Sequence, residues 1–202
     1  MPYTPPMPAL VTALRALEAL NSRLLALGRH AAWVLVALMV ATILLQVFMR
    51  YVVGSALPWP EEVARALMIW MMALVAGSGY RWGAFVSIDL VGERLPVVIA
   101  RALQLVLLVL ALILLVQLFV LAIEFFQRGF RTRAASFKLQ RAWIYLAMPV
   151  CFGSMILVNV ELLMRAIGRT FGRAEDFPTP PNPLIVAEED LPGHPVATRP
   201  AE

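Results

Sequence analysis

The sequence predicts an all-α integral membrane protein with four transmembrane helices, an N-terminal amphipathic interfacial helix and a disordered Pro-rich C-terminal tail. Three observations carry this prediction. Four apolar stretches, 31–49, 66–80, 102–123 and 142–160, are each bounded by Arg or Glu. A helix of about 20 residues crosses a hydrocarbon core of roughly 30 Å, and the second stretch reaches that length with its flanks. Residues are 61% hydrophobic and 15% charged, where soluble domains carry about 25% charge. With a mean hydropathy of +0.79, the helices lack the polar faces that a water-soluble bundle needs.

Ahead of the first span, Leu10, Leu14, Leu17, Leu24 and Leu27 recur at helical spacing, with Arg15, Glu18, Asn21 and Arg23 between them. This is an amphipathic helix suited to the membrane surface, and the same face suits packing on a partner subunit. Residues 1–8 are Pro-rich rather than basic, and the first apolar run lacks a small-residue cleavage site, so that span is expected to persist in the mature protein. Short connections predict that consecutive helices are antiparallel neighbours. Beyond Phe171, seven prolines from Pro178 to Pro200 alternate with Glu175, Asp176, Glu188, Glu189 and Asp190. Such a segment buries too little apolar surface to offset its ordering entropy. The expected division is therefore 1–28 for the N-terminal segment, 29–171 for the transmembrane domain and 172–202 for the tail.

The formal charge of +4 does not point to nucleic acid, because Lys and Arg cluster at the ends of apolar runs, where they grip lipid headgroups. They divide almost evenly between the two membrane sides, with a narrow excess on the N-terminal side, which favours both termini in the cytoplasm. The most basic stretch is 127–140, with Arg128, Arg131, Arg133 and Lys138 and no acid. It is expected on the periplasmic side, available either to an acidic patch on a soluble partner or to anionic lipid. Cys151 is the single cysteine, which excludes an internal disulfide or a CxxC pair.

The densest pattern runs from Arg50-Tyr51-Val52 through Trp59-Pro60-Glu61-Glu62, Ala64-Arg65, Trp70, Gly77 and Arg81 to Asp89. Pro60 suits the first turn of a helix, where its missing N–H costs nothing. Glu61 and Glu62 then sit at the positive end of the helix dipole, and Arg65 falls on their face at i+4 and i+3. Trp59 and Tyr51 suit the headgroup belt. The charged group, with Arg50, either anchors helix ends or fixes the helix against a partner chain.

These residues resemble the DctQ-type small membrane subunit of tripartite ATP-independent periplasmic (TRAP) transporters. The likeness lies in Arg50 to Val52, in Trp59 to Trp70, and in Gly77, Arg81, Gly83, Ile88 and Asp89. Tyr145-Leu146-Ala147-Met148-Pro149-Val150 adds the pattern of that family's last helix. The resemblance covers about 29–171. One departure is Phe85, where many members carry His four residues before the Asp. The resemblance implies a non-enzymatic component of the bacterial inner (plasma) membrane, with both termini cytoplasmic and no cofactor. Its implied partners are a large permease subunit, which carries the substrate and sodium sites, a periplasmic substrate-binding protein that delivers an organic acid, and membrane lipid. It further implies Arg50, Trp59, Glu61, Glu62, Arg65, Trp70 and Asp89 as subunit-interface or structural residues. Arg128, Arg131, Arg133 and Lys138 are the candidates for docking the binding protein.

The residues themselves point the same way. A transporter acting alone needs ionisable groups near mid-membrane, yet the apolar runs hold only Gln46, Gln104, Gln117 and Asn159 as strongly polar side chains. Gln104 and Gln117 are expected to bond between helices, Pro149 to kink the fourth helix, and Gly153 and Ser154 to allow close helix contact. Glu124 and Glu161 are expected at or just beyond span ends, which argues against a small multidrug antiporter. His30 and His194 cannot form a facing haem pair, and no catalytic, metal-ligand or phosphate-loop spacing is present. A non-transport membrane scaffold, such as an accessory subunit of another inner-membrane complex, stays open as the alternative.

Overall fold

The structure is a computed structural model that describes the backbone of residues 8–55, 57–92, 97–131 and 141–171, and the side chains within 11–83, 99–131 and 141–170 of these. Residues 1–7, the connection 132–140 and the tail from 172 lie outside the described residues, and with them Arg133 and Lys138. The elements are α1 (Pro8–Tyr51), α2 (Pro60–Gly92), α3 (Val97–Gly129), α4 (Ala142–Tyr145) and α5 (Ala147–Phe171). Four helices are long and apolar enough to cross a membrane, with α4 and α5 together forming the fourth span. The protein is a multi-pass membrane protein.

The segment ahead of the first span is helical from Pro8 and runs on into that span without a break. The resulting helix has 44 residues and a rise of about 66 Å, twice the hydrocarbon thickness. Its buried stripe is not the leucine face read from the sequence. Leu14, Asn21, Leu25 and Ala32 are buried, whereas Leu24 and Leu27 are exposed. Past Ala32 the helix turns most of its large apolar side chains outward, from Trp33 to Tyr51. Gly54, with φ +72°, supplies the left-handed residue just beyond its end, and the Ser55 N–H reaches back to the Met49 carbonyl at 3.1 Å.

Pro60 opens α2 as expected, with Glu61 and Glu62 in its first turn. The Val63 N–H bonds the Trp59 carbonyl at 3.1 Å, so Trp59 caps the helix. The kink expected at Pro149 takes the form of an interruption one turn earlier. Proline offers no N–H to the Tyr145 carbonyl, and the helix breaks at Leu146 between α4 and α5. Backbone bonds from Leu146 to Ala142 and from Val150 to Leu146 carry the chain across the break in nearly the same direction.

Helix α5 sits at the centre and packs against α1, α2 and α3. The expectation that consecutive helices are neighbours holds for α1 with α2 and for α3 with the fourth span, whereas α2 and α3 touch only slightly. The reason lies in what each helix must bury. α3 has the most apolar stretch of the four, with a mean hydropathy of 3.3 over 18 residues, and leaves many of its large apolar side chains exposed. The polar residues of α5 need partners, and these are carried by α1 and α2. The core links Leu25, Leu108, Val158, Leu162 and Ala166, with Tyr80, Leu105 and Leu163 against it.

Close backbone approach lets the helices meet. A Cβ on Gly77 would lie 2.8 Å from the Ser154 Oγ and 3.0 Å from Leu25, so this glycine is where α1, α2 and α5 converge. Gly28 similarly faces the Leu74 carbonyl, at 2.9 Å from where a Cβ would stand. Small residues at such crossings are how membrane helices gain van der Waals contact. Gly77→Val is expected to force the three helices apart and cost about 1–3 kcal/mol, lowering the melting temperature in detergent. Gly79→Ala, where a Cβ meets nothing within 4 Å, should leave it unchanged or slightly raised.

Candidate functional site: a buried ionic clasp

Two short spacings on separate helices build the most unusual feature of the molecule. On α5, Glu161 and Arg165 stand four residues apart and share a face. On α1, Glu18 and Asn21 stand three apart. Arg81 of α2 completes the set. The Glu161 side chain is fully buried, and its Oε1 accepts from Arg81 Nη2 at 2.7 Å and from Arg165 Nη2 at 3.0 Å. Its Oε2 accepts from Asn21 Nδ2 at 2.7 Å. Asn21 Nδ2 also lies 3.1 Å from the Leu157 carbonyl. Glu18 then closes the circle, 2.8 Å from Arg165 Nη2 and 3.8 Å from Arg81 Nη2.

Two carboxylates and two guanidiniums make a formally neutral group. Neutrality matters because the cost of burying an isolated charge far exceeds the net worth of any single contact. The cluster lies against Val158, Leu162 and Ala166, which pack on Leu108 of α3, several residues inside the third apolar run. Glu161 is therefore buried in the core, which its place near the end of the fourth apolar run does not announce. Beside it, Asn159 Nδ2 donates to Tyr80 Oη, joining α5 to α2. Asn21 and Asn159 thus make the interhelical amide bonds expected of Gln104 and Gln117; Gln117 is exposed on α3 and Gln104 half-buried. Arg29 runs along α2, with Nη1 3.5 Å from Ser78 Oγ and its guanidinium 5.4 Å from the Trp82 ring.

The residues singled out from the sequence lie mostly at the opposite end. Arg65 and Glu61 pair at 3.0 Å, but both side chains are about 70% exposed, so the pair is worth a few tenths of a kcal/mol. Glu62 is half-buried in the same first turn. Arg50 is not drawn to these acids; its guanidinium lies 5.8 Å from the Tyr51 ring. Trp59 is half-buried, and Trp70 donates from Nε1 to the Trp143 carbonyl at 3.2 Å, tying α2 to α4. Asp89 falls late in α2 with its side chain outside the described residues, as does that of Phe85. Arg128 lies 3.6 Å from Glu124, one turn back on α3, and Arg131 is exposed beyond it. Among the described motif residues of α2, Gly77 and Arg81 enter the convergence of α1, α2 and α5.

The family described as tripartite ATP-independent periplasmic transporters, DctQ component, matches residues 39–169. The chain belongs to the DctQ family. It is a TRAP transporter small membrane subunit, a transporter component. No curated protein matches the chain. The matched region of this DctQ component contains Arg81, Glu161 and Arg165, whereas Glu18 and Asn21 precede it. The clasp therefore fastens the N-terminal half of α1 onto the matched bundle.

Chemically the clasp is a fastener. Its charges are paired with one another, the Glu161 carboxylate being fully buried and that of Glu18 38% exposed, while Arg81 Nε has no hydrogen-bond partner among the described residues. The signal in the sequence was the Glu161 and Arg165 spacing inside an apolar helix together with Glu18 and Asn21 on another, but nothing in either helix alone announces that the two pairs meet. Glu161→Gln is expected to leave Arg81 and Arg165 sharing only Glu18 and to cost about 3–5 kcal/mol in detergent unfolding. Replacing the four charged residues together, as in E18Q/R81M/E161L/R165M, should recover most of that loss, since no uncompensated charge remains in the cluster. If the single substitution left unfolding unchanged, the clasp would be ornamental.

Proposed function

We propose that this DctQ component scaffolds the large permease subunit and helps receive a periplasmic substrate-binding protein, for ion-gradient-driven uptake of an organic acid across the bacterial inner membrane. The observation that carries this reading is the division of the polar groups. The buried charges are paired in the neutral clasp, and the outward faces of α1 and α3 are largely apolar. Such a molecule braces a neighbour and offers a solute no resting place.

Both termini face the cytoplasm in this reading. The clasp then lies toward the cytoplasmic side, and the ends carrying Arg50, Arg65, Arg128 and Arg131 face the periplasm. Arg50, Trp59, Glu61, Glu62 and Arg65 anchor helix ends at headgroup level, Trp70 and Asp89 being structural. Arg128, Arg131, Arg133 and Lys138 supply positive potential toward an acidic patch on the binding protein, raising the rate of encounter.

The test is reconstitution. The chain copurifies with a large polytopic permease, and vesicles take up an organic acid only when permease, small subunit and binding protein are all present. Neutralising Arg128, Arg131, Arg133 and Lys138 together should lower uptake by about tenfold at limiting binding protein and low salt, with the membrane complex intact. Accumulation of the acid by the small subunit alone would refute the scaffold reading.

A further inference from the structure

Helices α2 and α5 leave between them an open groove of about 450 Å³, walled by Met68, Met72 and Ala76 on one side and Met148 and Cys151 on the other, with Arg65 at one end. It lies between two helices long and apolar enough to cross a membrane. From Arg65 to Ala76 the helix rises about 16 Å, close to the depth of one leaflet, about 15 Å. Its walls are almost wholly apolar side chains, which suits a hydrocarbon chain. Its methionines, flexible and polarizable, adapt to such a chain.

The mouth of the groove is dipolar. Arg65 Nη2 and Glu61 Oε1 lie 3.0 Å apart, both exposed, in the first turns of α2 beside Trp59. A guanidinium has five donors, and Glu61 engages only one nitrogen, which leaves a fork for a phosphate. The Glu61 carboxylate keeps lone pairs for a cation that can donate hydrogen bonds. A positive and a negative group side by side complement a zwitterionic headgroup.

We propose that this groove binds one phosphatidylethanolamine molecule, with an acyl chain along Met68, Met72 and Ala76, its phosphate on Arg65 and its ammonium on Glu61. The lipid covers the seam between the second and fourth spans. Phosphatidylcholine fits the same groove but cannot donate to Glu61 from its quaternary nitrogen, so the headgroup distinguishes the two.

The experiment is native mass spectrometry of the full chain in mild detergent, titrated with palmitoyl-oleoyl phosphatidylethanolamine or the matching phosphatidylcholine. One phosphatidylethanolamine should bind, about tenfold more tightly than phosphatidylcholine. Glu61→Gln should erase the preference, Arg65→Gln should weaken both lipids about tenfold, and Ala76→Phe should abolish binding by filling the groove. A measurement on the unaltered protein stands beside these, because Cys151 is its single cysteine and lies in the groove wall. Its reaction with N-ethylmaleimide should slow severalfold when the delipidated chain is given phosphatidylethanolamine. Equal binding of both lipids, or Cys151 shielded only when the permease is present, would overturn the assignment.

Discussion

The Glu161 carboxylate carries two oxygens into an apolar interior, and three helices are arranged by what those oxygens require. One oxygen holds both guanidiniums, and the other holds the Asn21 amide. Because Arg81 belongs to α2 and Asn21 to α1, a single side chain of α5 determines which faces of its neighbours turn inward. The central place of α5 follows from this. So does the peripheral place of α3, which packs on α5 by apolar contact through Leu105 and Leu108.

A neutral cluster of this kind contributes specificity more than strength. Apolar side chains of similar volume would stabilise the bundle as well, but they would not discriminate one register of α1 from the next. Apolar helices in lipid slide easily, since hydrocarbon contacts change little with register. The clasp removes that freedom by making any other alignment leave a buried charge unpaired. Gly77 and Ser154 act at a neighbouring level by steric means, bringing the backbones together where Leu25 closes over them. Charge and close approach therefore act on the same three helices.

The two ends of the bundle are built on opposite lines. At the clasp end, charges are buried and spent on one another. At the other end, Arg50, Glu61, Arg65, Glu124 and Arg128 are exposed and meet whatever lies outside. A scaffold benefits from this asymmetry, because rigidity is gained inside while recognition of lipid and protein stays at the surface. The family match begins within α1, after Glu18 and Asn21. In this chain the segment before it is held to the bundle by ionic contacts.

Hydropathy alone determined that this chain crosses a membrane with four helices, because a run of about 20 apolar residues has no other favourable solvent. The opening of α2 at Pro60 and its acidic first turn were equally legible, since both depend on local backbone chemistry. The motif order from Arg50 to Asp89 pointed to the DctQ family before any geometry was known. Only the tertiary structure decided that Asn21 faces inward, that Glu161 is a core residue, and that α3 rests on α5 and not on α2. These are choices among faces of helices whose apolar composition varies little around the axis, so periodicity carries almost no information about them. The partners of a buried charge lie on other helices, 80 residues away for Arg81 and 140 for Asn21, and their pairing exists only once those helices have met.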